Sequence, residues 1–220
     1  MRKVFALIGV ILTIAGVAIC SVSMMALGFD YKKFNVTEYV TNKYPVEDSF
    51  TNISVKGNTE DIIFAASEDG TCHVVCHEEE EYPHYVHVEG DTLIIDSRED
   101  IRKWHFGINF GDHQYIKLYL PEKEYGALQV DENTGDVIIS EGFIFESMHI
   151  ELNTGDVRFE GCDAGTIFVE TNTGSVTGTL LTDKVFSTDT NLGDIDVPES
   201  TTGGKCRITT TTGDIRISIP

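Results

Sequence analysis

Positive charge is scarce in this sequence. Past Phe29 stand 14 of the 16 Lys and Arg against all 36 Asp and Glu, and the whole chain carries a formal net charge of -20. A surface of that sign does not neutralise phosphates, which excludes a nucleic-acid role. It also repels anionic membrane surfaces and anionic polymers unless cations intervene. Catalytic signatures are missing as well: the chain has no nucleophile elbow, no phosphate loop and no HExxH. Carboxylate pairs arise by chance in so acidic a chain, so they do not mark a glycan-cleaving enzyme, and a non-catalytic protein is expected. Cysteine is sparse and odd in number, five in all, with Cys20 inside an apolar run. The other four could close two bridges, but at this density buried thiols are the plainer reading.

Charge vanishes altogether from Val4 to Phe29, a run of 26 residues. At about 1.5 Å each these exceed the roughly 30 Å of a bilayer core. Residues 1–29 are therefore expected to form an N-terminal transmembrane anchor or an uncleaved signal. Arg2 and Lys3 precede the run, which keeps the amino end cytoplasmic and sends the rest outside, although Lys32 and Lys33 put some positive charge on the far side. A cleaved signal has a shorter apolar stretch, about 7 to 15 residues, yet Ala26-Leu27-Gly28 offers a small-x-small site. Ile19 before Cys20 argues against lipid attachment there. The expected location is the cell membrane, single-pass, with an extracytoplasmic C-terminal domain.

What the chain has in quantity is a repeat. Asn133-Thr134-Gly135-Asp136 returns as Asn153-Thr154-Gly155-Asp156, then as NTGS at 172–175, NLGD at 191–194 and TTGD at 211–214. The glycines Gly135, Gly155, Gly174, Gly193 and Gly213 are 19 or 20 residues apart, a period that points to a stacked architecture. Seven residues before each glycine stand Leu128, Met148, Ile167, Phe186 and Cys206, and five before stand Val130, Ile150, Val169, Thr188 and Ile208. Two after stand Val137, Val157, Val176, Ile195 and Ile215, and four after stand Ile139, Phe159, Gly178, Val197 and Ile217. These nearly all apolar columns alternate on both sides of a polar corner, as strands do. One unit cannot bury its apolar face alone, whereas stacked units cover one another about 4.8 Å apart. Glycine suits the corner because it tolerates positive φ, and Asn and Asp because they bond to nearby backbone.

The pattern predicts an all-β fold, a short parallel β-solenoid of about five 19–20-residue rungs. A degenerate N-terminal rung precedes it. With Glu60 in the glycine place, Ile53, Val55, Ile62 and Phe64 fall in the four columns. The organisation expected is residues 1–29 as anchor, 30–49 as juxtamembrane linker, 50–127 as the capping and insertion part of the β domain, and 128–220 as regular repeats. Strand-like pieces occur at Cys72 to His77, Tyr85 to Val88, Leu93 to Asp96 and Tyr115 to Leu120.

A membrane-spanning segment, then a strand like Tyr115-Ile116-Lys117-Leu118-Tyr119-Leu120-Pro121, then repeats of apolar-x-apolar and (T)-G-[DS]-[VI] in one phase, resemble the putative-adhesin β-strand repeat family. The resemblance covers about residues 50 to 220. It implies a right-handed β-solenoid-like domain at a bacterial cell surface, with an adhesion or envelope-response role and no catalytic residues to carry over.

Four groups of residues remain as candidate sites. Stacked corners would align Asp136, Asp156, Ser175, Asp194 and Asp214, and calcium suits the carboxylates of Asp136, Asp156, Asp194 and Asp214, while solvated turn aspartates are the plainer use. Trp104, Phe106 and Phe110 form a candidate contact patch, since aromatics are enriched at interfaces. Cys72-His73-Val74-Val75-Cys76-His77 places three residues between its cysteines where haem attachment has two, so no haem is expected. His73 and His77 would lie about 13 Å apart along a strand. A hairpin through Glu78-Glu79-Glu80-Glu81 could set His84 or His87 opposite one of them, with a glutamate completing a zinc set. Apart from calcium, no cofactor is expected. Beyond the membrane itself, the partners expected are an envelope polymer or a membrane protein, and a second copy of the chain joined through the terminal strand edge Ile215 to Pro220. The resulting reading is a non-catalytic, membrane-anchored surface or envelope interaction module, with a regulatory partner of another membrane protein as the alternative and a glycan-active β-helix enzyme third.

Overall fold

The computed structural model describes residues 2–26, 28–29, 38–97 and 113–220. Helix α1 (Arg2–Ala26) belongs to a unit of its own. Within it, Ile8–Ala26 has a mean hydropathy of 2.3 and none of it is buried, so it is long and apolar enough to cross a membrane. Two of its three hydroxyls turn back onto the helix: Thr13 donates to the Gly9 carbonyl and Ser21 to the Val17 carbonyl, which removes two unpaired donors from an apolar segment.

The second unit is all strand. In chain order it holds β1 (Tyr39–Val46), β2 (Asn52–Lys56), β3 (Asp61–Ala66), β4 (Cys72–Glu79), β5 (Tyr85–Glu89), β6 (Thr92–Asp96), β7 (Tyr115–Leu120) and β8 (Glu124–Thr134). There follow β9 (Val137–Ile139), β10 (Ile144–Thr154), β11 (Val157–Thr173), β12 (Val176–Leu180), β13 (Lys184–Leu192), β14 (Ile195–Asp196), β15 (Gly204–Thr212) and β16 (Ile215–Ser218). They form two walls. One runs β5-β6-β2-β8-β10-β11-β15-β13, the other β1-β4-β7-β3-β9-β11-β12-β16-β14. The long β11 serves both, bending at Gly161, where its register against β12 shifts between Glu160 and Cys162. Pairing is parallel throughout except for β1 with β4, β4 with β7, and β5 with β6.

The same-phase columns of the sequence lie side by side. Leu128 pairs with Met148, Met148 with Ile167, Val137 with Val157 and Val157 with Val176. The degenerate rung joins in phase: Ile53 and Val55 pair with Leu128 and Val130, and Ile62 and Phe64 with Val137 and Ile139. Ile53, Val55, Ile62, Phe64, Val130, Val137, Ile139, Ile150 and Val157 are all buried between the walls. Each such side chain stabilises the fold by about 1.5–3 kcal/mol on removal from water.

Two features differ from what the repeat predicts. First, chain order is not stacking order. The rung with corner Gly213 (β15–β16) pairs with β11 and β12 on one side and with β13 and β14 on the other, so it sits between the rungs with corners Gly174 and Gly193. The arm Ile215 to Pro220 therefore supplies an interior strand, β16, and among the described residues the edge at this end of the stack belongs to β13 and β14 instead. Second, the segment expected as a linker at 30–49 contains β1, which pairs along its whole length with β4. Pro45 fits there because β1 ends its wall and a proline removes no ladder bond on an outer edge.

The insertion point has a physical clasp. Lys184, at the start of β13, is buried, and its Nζ lies 2.6 Å from Asp163 Oδ1 on β11, although β15 runs between these strands. Lys184 pairs in register with Gly204, the first residue of β15. A Cβ on Gly204 would overlap the Gly165 carbonyl and stand 3.4 Å from Lys184 Cδ. The missing side chain leaves the lysine room to reach across one whole strand.

Candidate functional site

The corner aspartates form a ladder. Asp61 Oδ1 accepts the amide of Asp136 at 2.9 Å, Asp136 Oδ1 that of Asp156 at 2.8 Å, and Asp156 Oδ1 that of Ser175 at 2.7 Å. Ser175 Oγ continues to the Asp214 amide at 3.2 Å and Asp214 Oδ1 to the Asp194 amide at 2.8 Å, in stacking order rather than chain order. The asparagines add a second ladder, Asn172 to Asn153 to Asn133 to Asn58, each Nδ2 donating to the next Oδ1 at 2.9–3.2 Å. All five corner glycines have φ between 149° and 157°, and a Cβ on Gly155 would overlap the carbonyl of Gly135. The asparagine, the glycine and the aspartate of NTGD thus each have a stacking role that depends on the neighbouring corner. Arg216 reaches Asp214 at 2.9 Å and Asp194 at 3.6 Å, which relieves like charge at the end of the column.

The other candidate residues are dispersed. Trp104, Phe106 and Phe110 lie outside the described residues. His73 stacks on Tyr119 at 4.7 Å, and His77 on Tyr39 and Tyr115, all on the outer face of β4, where they pack as a polar aromatic row. His87 lies against Tyr85. A cleft of about 630 Å³ is lined by Lys43, Cys72, His73, Pro121 and Lys123. Lys123 is already engaged with the Phe50 carbonyl at 3.1 Å and the Tyr125 ring.

His84 takes a different place from the one its spacing suggested. It is buried with Glu60, Glu78, Glu132 and Cys76 at the capping end of the β domain. Alternation puts Val74, Cys76 and Glu78 on the inward face of β4. The turn after β4 folds His84 back so that its amide and Nδ1 both reach Glu78 Oε2, at 2.6 and 2.5 Å. Glu78 Oε1 is held by Asn42 Nδ2 at 2.7 Å and Tyr44 Oη at 2.5 Å from β1. On the other side of the ring, Nε2 faces Glu60 Oε1 at 3.5 Å without forming a hydrogen bond. Glu60 Oε2 accepts the amides of Asn58 and Thr59 at 2.6 and 2.8 Å.

Burial opposes charge on every member of this cluster, and specific partners decide each outcome. For His84 burial alone would lower the pKa, but Glu60 and Glu78 outweigh it and raise it to about 9. For Glu60 and Glu78 burial acts upward, while His84 and neighbouring amides prevail and hold both below the usual carboxylate value. Glu132 is pushed up to about 8 by burial and then by the charge of Glu60, and its Oε2 has no partner. Burial also raises the Cys76 thiol.

The cluster was legible only as exceptions to the repeat. Glu60 stands where the other corners have glycine. Glu132 stands three residues before its glycine, where later rungs have Leu152, Thr171, Thr190 and Thr210. Gly57, in the matching place of the degenerate rung, leaves the space that Glu132 occupies, since a Cβ there would overlap Glu132 Oε2.

In-phase parallel rungs with shared corners, closed at one end by antiparallel strands, define an all-β domain of solenoid-like type. The chain belongs to the Toastrack DUF4097 family, whose model matches residues 50–219. Among solved structures it is similar to a putative cell adhesion protein from Clostridium sporogenes ATCC 15579, with 12% identity and a TM-score of 0.65 over 83% of this chain and 100% of that one. A putative adhesin from Bacteroides fragilis NCTC 9343 matches at 15% identity and a TM-score of 0.41, over 82% of this chain and 97% of that one. At such identities only the first likeness informs, and it informs the fold alone. No curated protein matches the chain.

Proposed function

We propose that this protein is a non-catalytic, adhesin-like interaction module of the bacterial envelope. Helix α1 anchors it in the cell membrane as a single pass, and the acidic β domain stands outside as a short right-handed parallel β-solenoid. In-phase parallel pairing supports the coil, and its handedness follows the family resemblance. The observation that carries the function is the open end of the stack. Among the described residues the rung at β13–β14 has a neighbour on one side only: its column residue Ile195, whose counterparts Val137, Val157, Val176 and Ile215 are buried, is 45% exposed, and Val185 at 40% and Leu192 at 68% add exposed apolar surface on the same rung. An apolar strand edge of this kind accepts a further strand, which is how β-augmentation recruits a partner.

The experiment places a photocrosslinking residue at Val185 of the full chain in intact cells, with Glu170 on an outer face as the control position. Envelope polymer captured at Val185 and not at Glu170 supports the surface-binding module. One membrane protein captured near stoichiometrically would replace it with the regulatory reading, and capture of the chain itself would assign the edge to a homo-oligomer. Equal capture at both positions removes the edge as the functional surface.

A further inference from the structure

The buried cluster around His84 has more donor atoms than its own hydrogen bonds require. Cys76 Sγ, a Glu78 carboxylate oxygen and a His84 ring nitrogen lie within 4.8 Å of one another, and all three residues are buried. They come from independent devices of the fold. Strand alternation turns Cys76 and Glu78 to one side, and the turn after β4 returns His84 to meet them. From this geometry we propose a divalent transition-metal site of the zinc class, bound by Cys76 Sγ, Glu78 Oε2 and His84 Nδ1.

Three observations converge on it. The first is the donor set: thiolate, imidazole and carboxylate together suit zinc or cobalt, whereas calcium and magnesium prefer oxygen donors only. The second is the outer arrangement. Glu78 Oε1 is fixed by Asn42 and Tyr44, which leaves Oε2 turned toward His84. His84 Nε2, buried and without a hydrogen-bond partner, faces Glu60 Oε1 at 3.5 Å. With a metal on Nδ1, that pair becomes the carboxylate–histidine–metal relay that commonly orients such ligands. The third is charge. A divalent ion that displaces the Cys76 thiol proton and one His84 ring proton adds two charges and removes two, so the buried net charge stays the same. Burial of an uncompensated ion, the usual obstacle in a dry interior, does not arise.

The site differs from a zinc set built on His73 or His77, whose rings stack on tyrosines on the opposite face of β4. It is also separate from the strand edge at β13–β14, so the two proposals fail independently.

The test uses the full chain, stripped with a chelator and titrated with cobalt alone. The expected result is one cobalt per chain, a thiolate-to-cobalt charge-transfer band in the near ultraviolet, and displacement of both by an equivalent of zinc. The band should disappear in Cys76→Ser and fall at least tenfold in affinity in Glu60→Gln, which leaves the three donors in place. Zinc should raise the melting temperature of the stripped wild-type chain by several degrees. Absence of a thiolate band in the folded wild-type protein overturns the proposal whether or not any variant folds. Persistence of the band in Cys76→Ser overturns it too, because it places the metal on another thiol.

Discussion

Replacing Lys184 by Met keeps the length of the side chain and removes its charge. In the wild type Lys184 Nζ is 2.6 Å from Asp163 Oδ1 with both side chains almost fully enclosed, and the ammonium also donates to the Thr182 hydroxyl and carbonyl. The variant leaves the Asp163 carboxylate buried without a counter-ion, and its Oδ2 already lacks a partner. Breaking a buried pair by removing one member costs about 3–5 kcal/mol, against about 0–1 kcal/mol for an exposed pair. A domain of this size loses about 2–4 °C of melting temperature per kcal/mol, so a fall of roughly 6–20 °C is expected. Calorimetry on the full chain in detergent measures it. Adding Asp163→Asn removes the orphaned charge while keeping an acceptor for the Ala164 amide, and the double variant should recover at least about half of the loss. A single variant within about 1 kcal/mol of wild type, or a double variant no more stable than the single, would refute the idea that this pair clasps the last rungs together.

Gly155→Ala should cost several kcal/mol, read in the same melts, because its Cβ would collide with the Gly135 backbone at φ 151°. Asp156→Ala should lose about 1 kcal/mol with the amide of Ser175, whereas Asp156→Asn keeps an acceptor and should be nearly neutral. If the column instead holds calcium, both variants will lose a calcium-dependent rise in melting temperature that the wild type shows. Burial pushes the Cys162 and Cys206 thiols from 9.0 up to about 12, and both should resist alkylation at pH 7.5 until urea unfolds the chain. With folded pKa values raised, their stability contribution is complete below about pH 9 and is lost between about pH 9 and 12, which alkaline denaturation will show as a falling midpoint.

Much of the β domain was legible because a stacked fold prints its register into the sequence. Columns two apart on either side of a corner put Ile53 in register with Leu128 as directly as Met148 with Ile167. Phase, however, is identical for every rung, so it cannot say which rung lies beside which. The exchange of the last two was hidden for that reason, though Thr188 in an otherwise apolar column hinted that its rung lay outermost. The strand Tyr39–Val46 was missed because none of its residues is fully buried, so its sequence carries no apolar column. The His84 cluster joins a corner, a strand and a turn, Glu60, Glu78 and His84, and no periodicity links those three positions.

The exchange of the last rungs also sets a timetable. A chain that leaves a ribosome or crosses a membrane from its amino end delivers β13 and β14 before β15 and β16. The earlier pair then has no template to dock on, since its neighbour in the finished stack has not yet emerged. Up to Leu180 the stack can grow as each rung arrives. From Lys184 onward it must wait, and the final two rungs close as a single event. A pause or cut between residues 193 and 204 would therefore strand a whole rung that has already been made.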